Sequence, residues 1–251
     1  MRPTVSVVIP VRDDAVALRR CLTELARQSV PPLEVVVVDN ASSDNTAEVA
    51  RSFGARVVEE PRVGIPAAAG TGYDAARGDV IGRLDADSRP RRDWVERIAD
   101  RMERNPDLAA VTGTGVFYDL PPLWRHVMEL VYLGAYYLLA HLALGHTALW
   151  GSSMALRRSV WDEVRDDVHR DDPEIHDDMD LAFVLGPGRP IRLDLLLRVG
   201  VSGRSLHGSA QRRRRLARAR RTLELNWAQL PPWLRWQQRI TSRSRSRSAA
   251  G

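Results

Sequence analysis

The chain of 251 residues carries 37 basic residues, every one an arginine, against 32 acidic ones, and 44% of it is hydrophobic. That content allows a sizeable core, in one large α/β domain or two small ones. The single cysteine, Cys21, excludes an intrachain disulfide and points to a reducing cytoplasm, and the apolar run that ends at Ile9 is too short for a signal peptide.

In chain order, residues 4–9 (TVSVVI) predict a buried strand closed by Pro10. Residues 15–28 place Leu18, Leu22 and Leu25 at helical spacing, and Pro31-Pro32 breaks the chain. Residues 34–38 are a second β-branched strand, ending at Asp39. The turn-rich stretch 40–46, with Glu48 three residues after Asn45, opens a short helix that runs to Phe53 and is capped by Gly54. Residues 56–59 form a third strand, 65–77 a helix rich in small residues, and 79–84 a fourth strand. A helix over 93–102 sets Trp94, Ile98 and Met102 on one core-facing side, and 108–112 are a fifth strand. Strands alternating with helices in this way imply a parallel sheet built from βαβ units.

In such a sheet the strand ends lie along one edge, where open α/β sheets bind ligands. Three of them end in polar or acidic residues: Pro10-Val11-Arg12-Asp13, Asp39-Asn40 and Asp85-Ala86-Asp87. Two carboxylates one residue apart on a turn offer hard oxygen ligands to Mg²⁺ or Mn²⁺, with substrate phosphates completing the shell. No GxGxxG follows the first strand and no GxxxxGK[ST] occurs, which disfavours NAD, FAD and P-loop chemistry. An edge lined by carboxylates suits a nucleotide whose phosphates are met by a metal.

The blocks SVVIPVRDD, VVVVDNASSDNTAEVA, GDVIGRLDADSRP, GSSMALRRSVWDEV and HDDMDLAF, in that order, resemble the successive motifs of family 2 glycosyltransferases and span about residues 4–207. The resemblance implies an α/β GT-A fold, a mostly parallel Rossmann-like sheet flanked by helices, and an inverting transfer of a sugar from a nucleotide-diphosphate sugar. It implies that Pro10, Val11, Arg12 and Asp13 line the base pocket, that Asp39 accepts from the nucleobase, and that Asp85 contacts the ribose or diphosphate. Asp87 would ligate a divalent cation, Mg²⁺ or Mn²⁺, with His207 as a further ligand. Trp150, Gly151, Ser152 and Asp177 would face the acceptor, and Asp178 would be the catalytic base. The chain departs from the pattern where Arg12 replaces an aromatic residue, Asp13 an Asn, and Ala69-Gly70 an Arg-Asn pair. Acidic residues in a first helical turn also stabilise the helix, which is the reading adopted for Asp180.

Residues 121–150 are apolar and aromatic, with Tyr132, Tyr136 and Tyr137 between Trp124 and Trp150. The expectation is a core helix pair or a helix lying in a membrane interface, with a single span disfavoured. His141 and His146 are read as structural. From Gln211 a basic helical run leads to a Trp-rich stretch and an Arg/Ser end from Arg239, expected to be disordered. The organisation expected is a catalytic domain over 1–210 and a basic aromatic tail over 211–251. The expected acceptor is a hydroxyl on a lipid-linked or cell-envelope glycan, with polyprenyl-phosphate sugar synthesis as the alternative. The expected place is the cytoplasmic face of an anionic membrane. A sugar-phosphate nucleotidyltransferase would need a Gly-rich basic loop after the first strand. A nucleic-acid-binding protein would explain the arginines but not the acidic blocks, so no nucleic-acid partner is expected.

Overall fold

The computed structural model describes residues 1–206 and 208–248. Its first half follows the sequence pattern closely: β1 (Val5–Val11), α1 (Ala15–Leu25), β2 (Glu34–Asp39), α2 (Thr46–Ser52), β3 (Arg56–Glu59), α3 (Ile65–Ala75) and β4 (Val80–Arg83). Pro10 does not end β1. It sits opposite Val38 in the parallel ladder, and the strand continues to Val11. Gly54 ends α2 as expected, at φ +75°. Asn45 makes no side-chain cap, and the carboxylate of the preceding Asp44 takes the Thr46 N–H instead, at 3.0 Å.

The second half comprises β5 (Arg89–Pro90), α4 (Trp94–Arg104), β6 (Ala110–Phe117), α5 (Pro122–Met128), a π-helical turn (Glu129–Leu133) and α6 (Gly134–Leu144). It continues with β7 (Met154–Arg157), α7 (Arg158–Val164), α8 (Asp177–Leu185), β8 (Ile191–Val201), a 3₁₀ turn (Gly203–Leu206), α9 (Ser209–Gln229) and α10 (Pro232–Ser248). All eight strands join one sheet in the order β3-β2-β1-β4-β7-β6-β8-β5. The β1–β2, β2–β3, β1–β4 and β6–β8 pairs are parallel, while β7 runs antiparallel to both β4 and β6, and β5 antiparallel to β8. The reversal of β7 places its first residue, Met154, beside the last residue of β4, Arg83.

Alternation along the strands divides the core. Val7 and Ile9 face one layer with Leu18, Leu22, Trp94, Ile98 and Met102, whereas Val8 faces the other with Tyr73, Ile81, Trp161 and Phe183. Each fully buried aliphatic side chain contributes about 1.5–3 kcal/mol relative to exposure. His146 is buried and its Nδ1 lies 3.0 Å from the Thr147 carbonyl, a structural position.

Residues 122–144 form one continuous helix, not a helix pair. Its inner edge packs on the sheet layer: Tyr137 donates to the Gly113 carbonyl at 2.6 Å, Tyr136 donates to the Leu149 carbonyl, and Leu133, Ala140 and Leu144 are buried. Trp124, Val127, Leu130, Val131, Leu138, Leu139 and Leu142 are exposed on it. The stretch Trp124–Leu144, 21 residues, is long and apolar enough to cross a membrane by length and composition.

The chain beyond Gln211 is tied to the rest. Asn226 donates to the buried carboxylate of Asp180 at 2.8 Å, and His169 meets that carboxylate through its backbone N–H and its Nδ1. Asp180 is therefore structural, as the sequence suggested. The segment from Arg239, expected to be disordered, continues α10 to Ser248. Trp236 bonds the Leu142 carbonyl at 3.1 Å, Arg235 the Phe183 carbonyl at 3.1 Å and Arg239 the Gly145 carbonyl at 2.5 Å. Once those contacts nucleate the first turns, propagation adds one hydrogen bond per residue fixed.

Candidate active site

The carboxyl edge of the parallel strands gathers most of the expected residues. Val11 and Asp39 are paired neighbours, so the ends of β1 and β2 form one wall. Asp13, at φ +51°, is clamped by Ser43, whose N–H and Oγ donate to Asp13 Oδ1 at 2.6 and 3.0 Å. Those bonds, with Arg12 beside it, hold the Asp13 carboxyl below the usual range. Arg12 is exposed, and Pro10 and Val11 are buried in β1. Asp39 Oδ1 accepts from the Ser42 N–H at 3.0 Å, and the residue stands half-buried at the edge. Asn40 donates to the Glu60 and Arg62 carbonyls at 2.8 and 2.7 Å, tying this wall to the loop after β3.

The turn after β4 forms the floor. Asp85 Oδ2 accepts from Ser152 Oγ at 2.5 Å, and its Oδ1 lies 3.2 Å from Arg83 Nη2. Asp87 Oδ2 lies 3.3 Å from Arg204 Nη2, a guanidinium that also bonds Asp14 at 2.8 Å. Burial, with Asp85 alongside, pushes Asp87 up to about 6 despite Arg204. A carboxyl raised in this way marks a place short of positive charge, and its oxygens are the donors that Mg²⁺ or Mn²⁺ takes. Among the described residues no group of three or more His, Cys, Asp or Glu is placed to hold a metal. One carboxylate, from Asp87, fits a cation whose shell the diphosphate of a substrate completes. His207, the second expected ligand, lies outside the described residues.

The loop before β7 and the start of α8 close the site from the other side. Gly151 N–H donates to Asp178 Oδ2 at 2.7 Å, and Met179 N–H donates to Asp178 Oδ1 at 2.8 Å. Among the described residues Asp178 forms no ion pair with an arginine or a histidine. The adjacent Asp177 is different: it is ion-paired with Arg83, a side chain only 3% exposed. Burial raises Asp177, the guanidinium opposes the rise, and Asp178 and Asp85 add to it.

Trp150 does not face an acceptor with its ring. The ring packs where a Cβ on Gly115 would come within 2.3 Å of it, and only 9% of the residue is exposed. Its backbone N–H is taken by Thr112 Oγ1 at 3.0 Å, so Trp150 anchors the loop that presents Gly151 and Ser152. Sequence reasoning missed Arg83, Arg204 and Tyr118, whose hydroxyl donates to the Asp87 carbonyl at 3.3 Å. For Arg83 a signal existed: a charged residue within an otherwise apolar four-residue strand, VIGR.

A family model described as "Glycosyl transferase family 2" matches residues 6–165. The chain is similar to the glycosyltransferase AglE of Haloferax volcanii, 35% identical over 122 residues, which are 45% of this chain and 37% of that one. It is similar to the chondroitin synthase of Pasteurella multocida, 33% identical over 117 residues, 45% of this chain and 12% of that one. It thus spans well under half the length of these curated relatives. Among solved structures, the mannosyltransferase PcManGT from Pyrobaculum calidifontis, in complex with GDP-Man and Mn²⁺, superposes with TM-score 0.67 at 20% identity, covering 100% of this chain and 76% of that one. Glucosyl-3-phosphoglycerate synthase from Mycobacterium tuberculosis, with Mn²⁺, UDP-glucose and phosphoglyceric acid, gives 0.60 at 17% identity, over 89% and 79%. Both share the fold.

Proposed function

This chain belongs to glycosyl transferase family 2 and has the GT-A fold, and from that membership we propose that it transfers a sugar from a nucleotide-diphosphate sugar to an acceptor hydroxyl with inversion. The observation that carries the proposal is the placement of Asp178. It is a carboxylate held by two backbone N–H groups, with no ion pair among the described residues, on the edge that also carries Asp39, Asp85 and Asp87. Asp178 takes the proton from the acceptor hydroxyl as that oxygen bonds to the anomeric carbon. The bond from that carbon to the diphosphate breaks on the opposite face, and the nucleoside diphosphate leaves. Asp39 and the 10–13 segment orient the base, and Asp85 the ribose or diphosphate. Asp87 would hold a divalent cation, which when bound supplies Lewis-acid neutralisation of the departing diphosphate. A thermal-shift screen of UDP, GDP and TDP, each with Mn²⁺, tests the donor side. The cognate nucleotide at about 100 times its Kd is expected to stabilise by about 2.7 kcal/mol, and no shift with any of them overturns the reading.

The place proposed is a membrane surface, where a lipid-linked or cell-envelope acceptor would be met. Helix 122–144 supports this with its exposed apolar side, on which Leu130 is 76% exposed. Its one acidic residue, Glu129, is neutralised by Arg198 at 2.6 Å. A transverse span would tear Tyr136 and Tyr137 from the sheet layer, so the helix lies in the interface plane. Four arginines of α9 are paired with carboxylates: Arg214 and Arg218 with Glu174, Arg220 with Glu224, and Arg221 with Asp172. Removing the chain after residue 210 would strip Asn226 from buried Asp180, so point variants are the better test. Wild-type protein is expected to pellet with anionic vesicles, and a Leu130→Gln/Leu138→Gln/Leu139→Gln variant to stay in the supernatant. Equal pelleting of both removes the interfacial role of the helix. A polyprenyl-phosphate acceptor, already anionic, is the second reading that the same apolar side favours.

A further inference from the structure

We propose that Arg83 is a positioning residue that divides the labour between the two adjacent carboxylates at the start of α8 and joins them to the donor-side carboxylate Asp85. The proposal rests on the transfer reaction above and concerns how its site is held.

Arg83 ends β4, a strand buried at all four positions between β1 and β7. A charge at such a position is costly unless it is paired, so its partners matter. The guanidinium reaches the floor of the site and meets Asp177 through Nη1 and Asp85 through Nη2. Its Nε is buried without a hydrogen-bond partner, so the guanidinium is held from its Nη side, by those two carboxylates with the buried Tyr73 hydroxyl beside them. The space it fills exists because position 151 is glycine. A Cβ there would stand 2.5 Å from Nη1 and 2.7 Å from the guanidinium carbon. The loop that contributes Gly151 N–H to Asp178 and Ser152 Oγ to Asp85 is thus packed directly over the guanidinium.

Two consequences follow from this geometry. Asp177 is occupied by a fixed cation, so it does not compete with Asp178 for the acceptor's proton. Asp178, one residue along, is left with backbone donors alone and stays free to accept. A fork of fixed N–H groups also makes the distance between Asp85 and the first turn of α8 a property of one side chain. A lysine, with a single ammonium, keeps the charge but cannot span both carboxylates. Arg83 therefore ties the donor side of the edge to the side that carries the base.

The test compares Arg83→Lys, Arg83→Met, Asp177→Asn and the Arg83→Met/Asp177→Asn double variant, by turnover, by Mn²⁺·UDP or Mn²⁺·GDP affinity in calorimetry, and by melting temperature. Arg83→Lys is expected to melt near wild type while losing about tenfold or more in turnover and binding the nucleotide more weakly. Arg83→Met strands Asp177, and its turnover is expected to fall about 100-fold. Adding Asp177→Asn removes the stranded charge and restores at least tenfold of that loss, a coupling that independent sites would not show. Turnover and nucleotide affinity of Arg83→Lys within twofold of wild type overturn the proposal, and so does a double variant no more active than Arg83→Met. If Arg83→Met does not fold, the turnover and nucleotide affinity of Arg83→Lys carry the test. Normal turnover of Asp178→Asn would remove the base assignment, yet the weakened nucleotide binding of Arg83→Lys would persist, so the two failures are distinguishable.

Discussion

Asp178→Asn is expected to bind the nucleotide sugar as tightly as wild type and to lose two decades or more of turnover. The amide is isosteric, and with its oxygen turned to the Gly151 N–H the loop before β7 stays in place, while the first turn of α8 loses only the local bond from the Met179 N–H. What is lost is the proton acceptor, and general-base assistance is worth typically 10²–10⁴-fold. The kinetic signature is a fall in kcat with unchanged donor KM, as for an interaction made only in the transition state. Turnover near wild type would instead mean that the acceptor needs no base, as an anionic phosphate does not, and would favour the polyprenyl-phosphate reading.

Asp87→Ala is expected to abolish the dependence of nucleotide binding on Mn²⁺ and to lower turnover by roughly three decades, since a Lewis acid at the leaving group supplies several kcal/mol. The fold should survive. Asp87 is half-buried on a turn, its backbone carbonyl still accepts from Tyr118, and Arg204 keeps Asp14 as a partner. Calorimetry of UDP and GDP with and without Mn²⁺, and with excess chelator, reads the outcome. Unchanged affinity together with unchanged metal dependence would move the cation to other ligands.

The parallel half of the sheet was legible because its information is local. Runs such as VVVV in β2 and the turn residues at 40–46 specify strand, turn and helix without reference to distant chain. Acidic residues at the ends of β2 and β4 marked the working edge for the same reason. The other half depends on non-local pairing. β8 carries Arg192, Asp194 and Arg198 among its apolar residues and breaks register beside Thr112 and Thr114, so no clean alternation shows in its sequence. β5 has two residues and exists only through its pairing with β8. Arg83 stood out as a charge in an apolar strand, but its role did not, because its partner Asp177 lies 94 positions away. Trp150 was placed by its motif at the acceptor, and nothing nearby in sequence announced Gly115, the glycine across which its ring lies. The helical end of the chain was misjudged because composition describes its Arg/Ser repeat but not the carbonyls at Leu142, Phe183 and Gly145 that anchor the turns before it.

The reversed direction of β7 bears on how such an enzyme can diversify. Because β7 enters the sheet from the edge at which β6 leaves it, everything between Phe117 and Met154 is a single excursion that begins and ends at the catalytic rim. The four strands β1 to β4 close their register among themselves before that excursion begins. Exchange of its middle, residues 121–148, for a stretch of another length or polarity would leave in place Tyr118, Gly151 and Ser152, which bond Asp87, Asp178 and Asp85. Recombination within one gene, confined to about thirty codons, could thus alter what stands beside the site while the residues that hold the strand-edge carboxylates passed unchanged to the descendant.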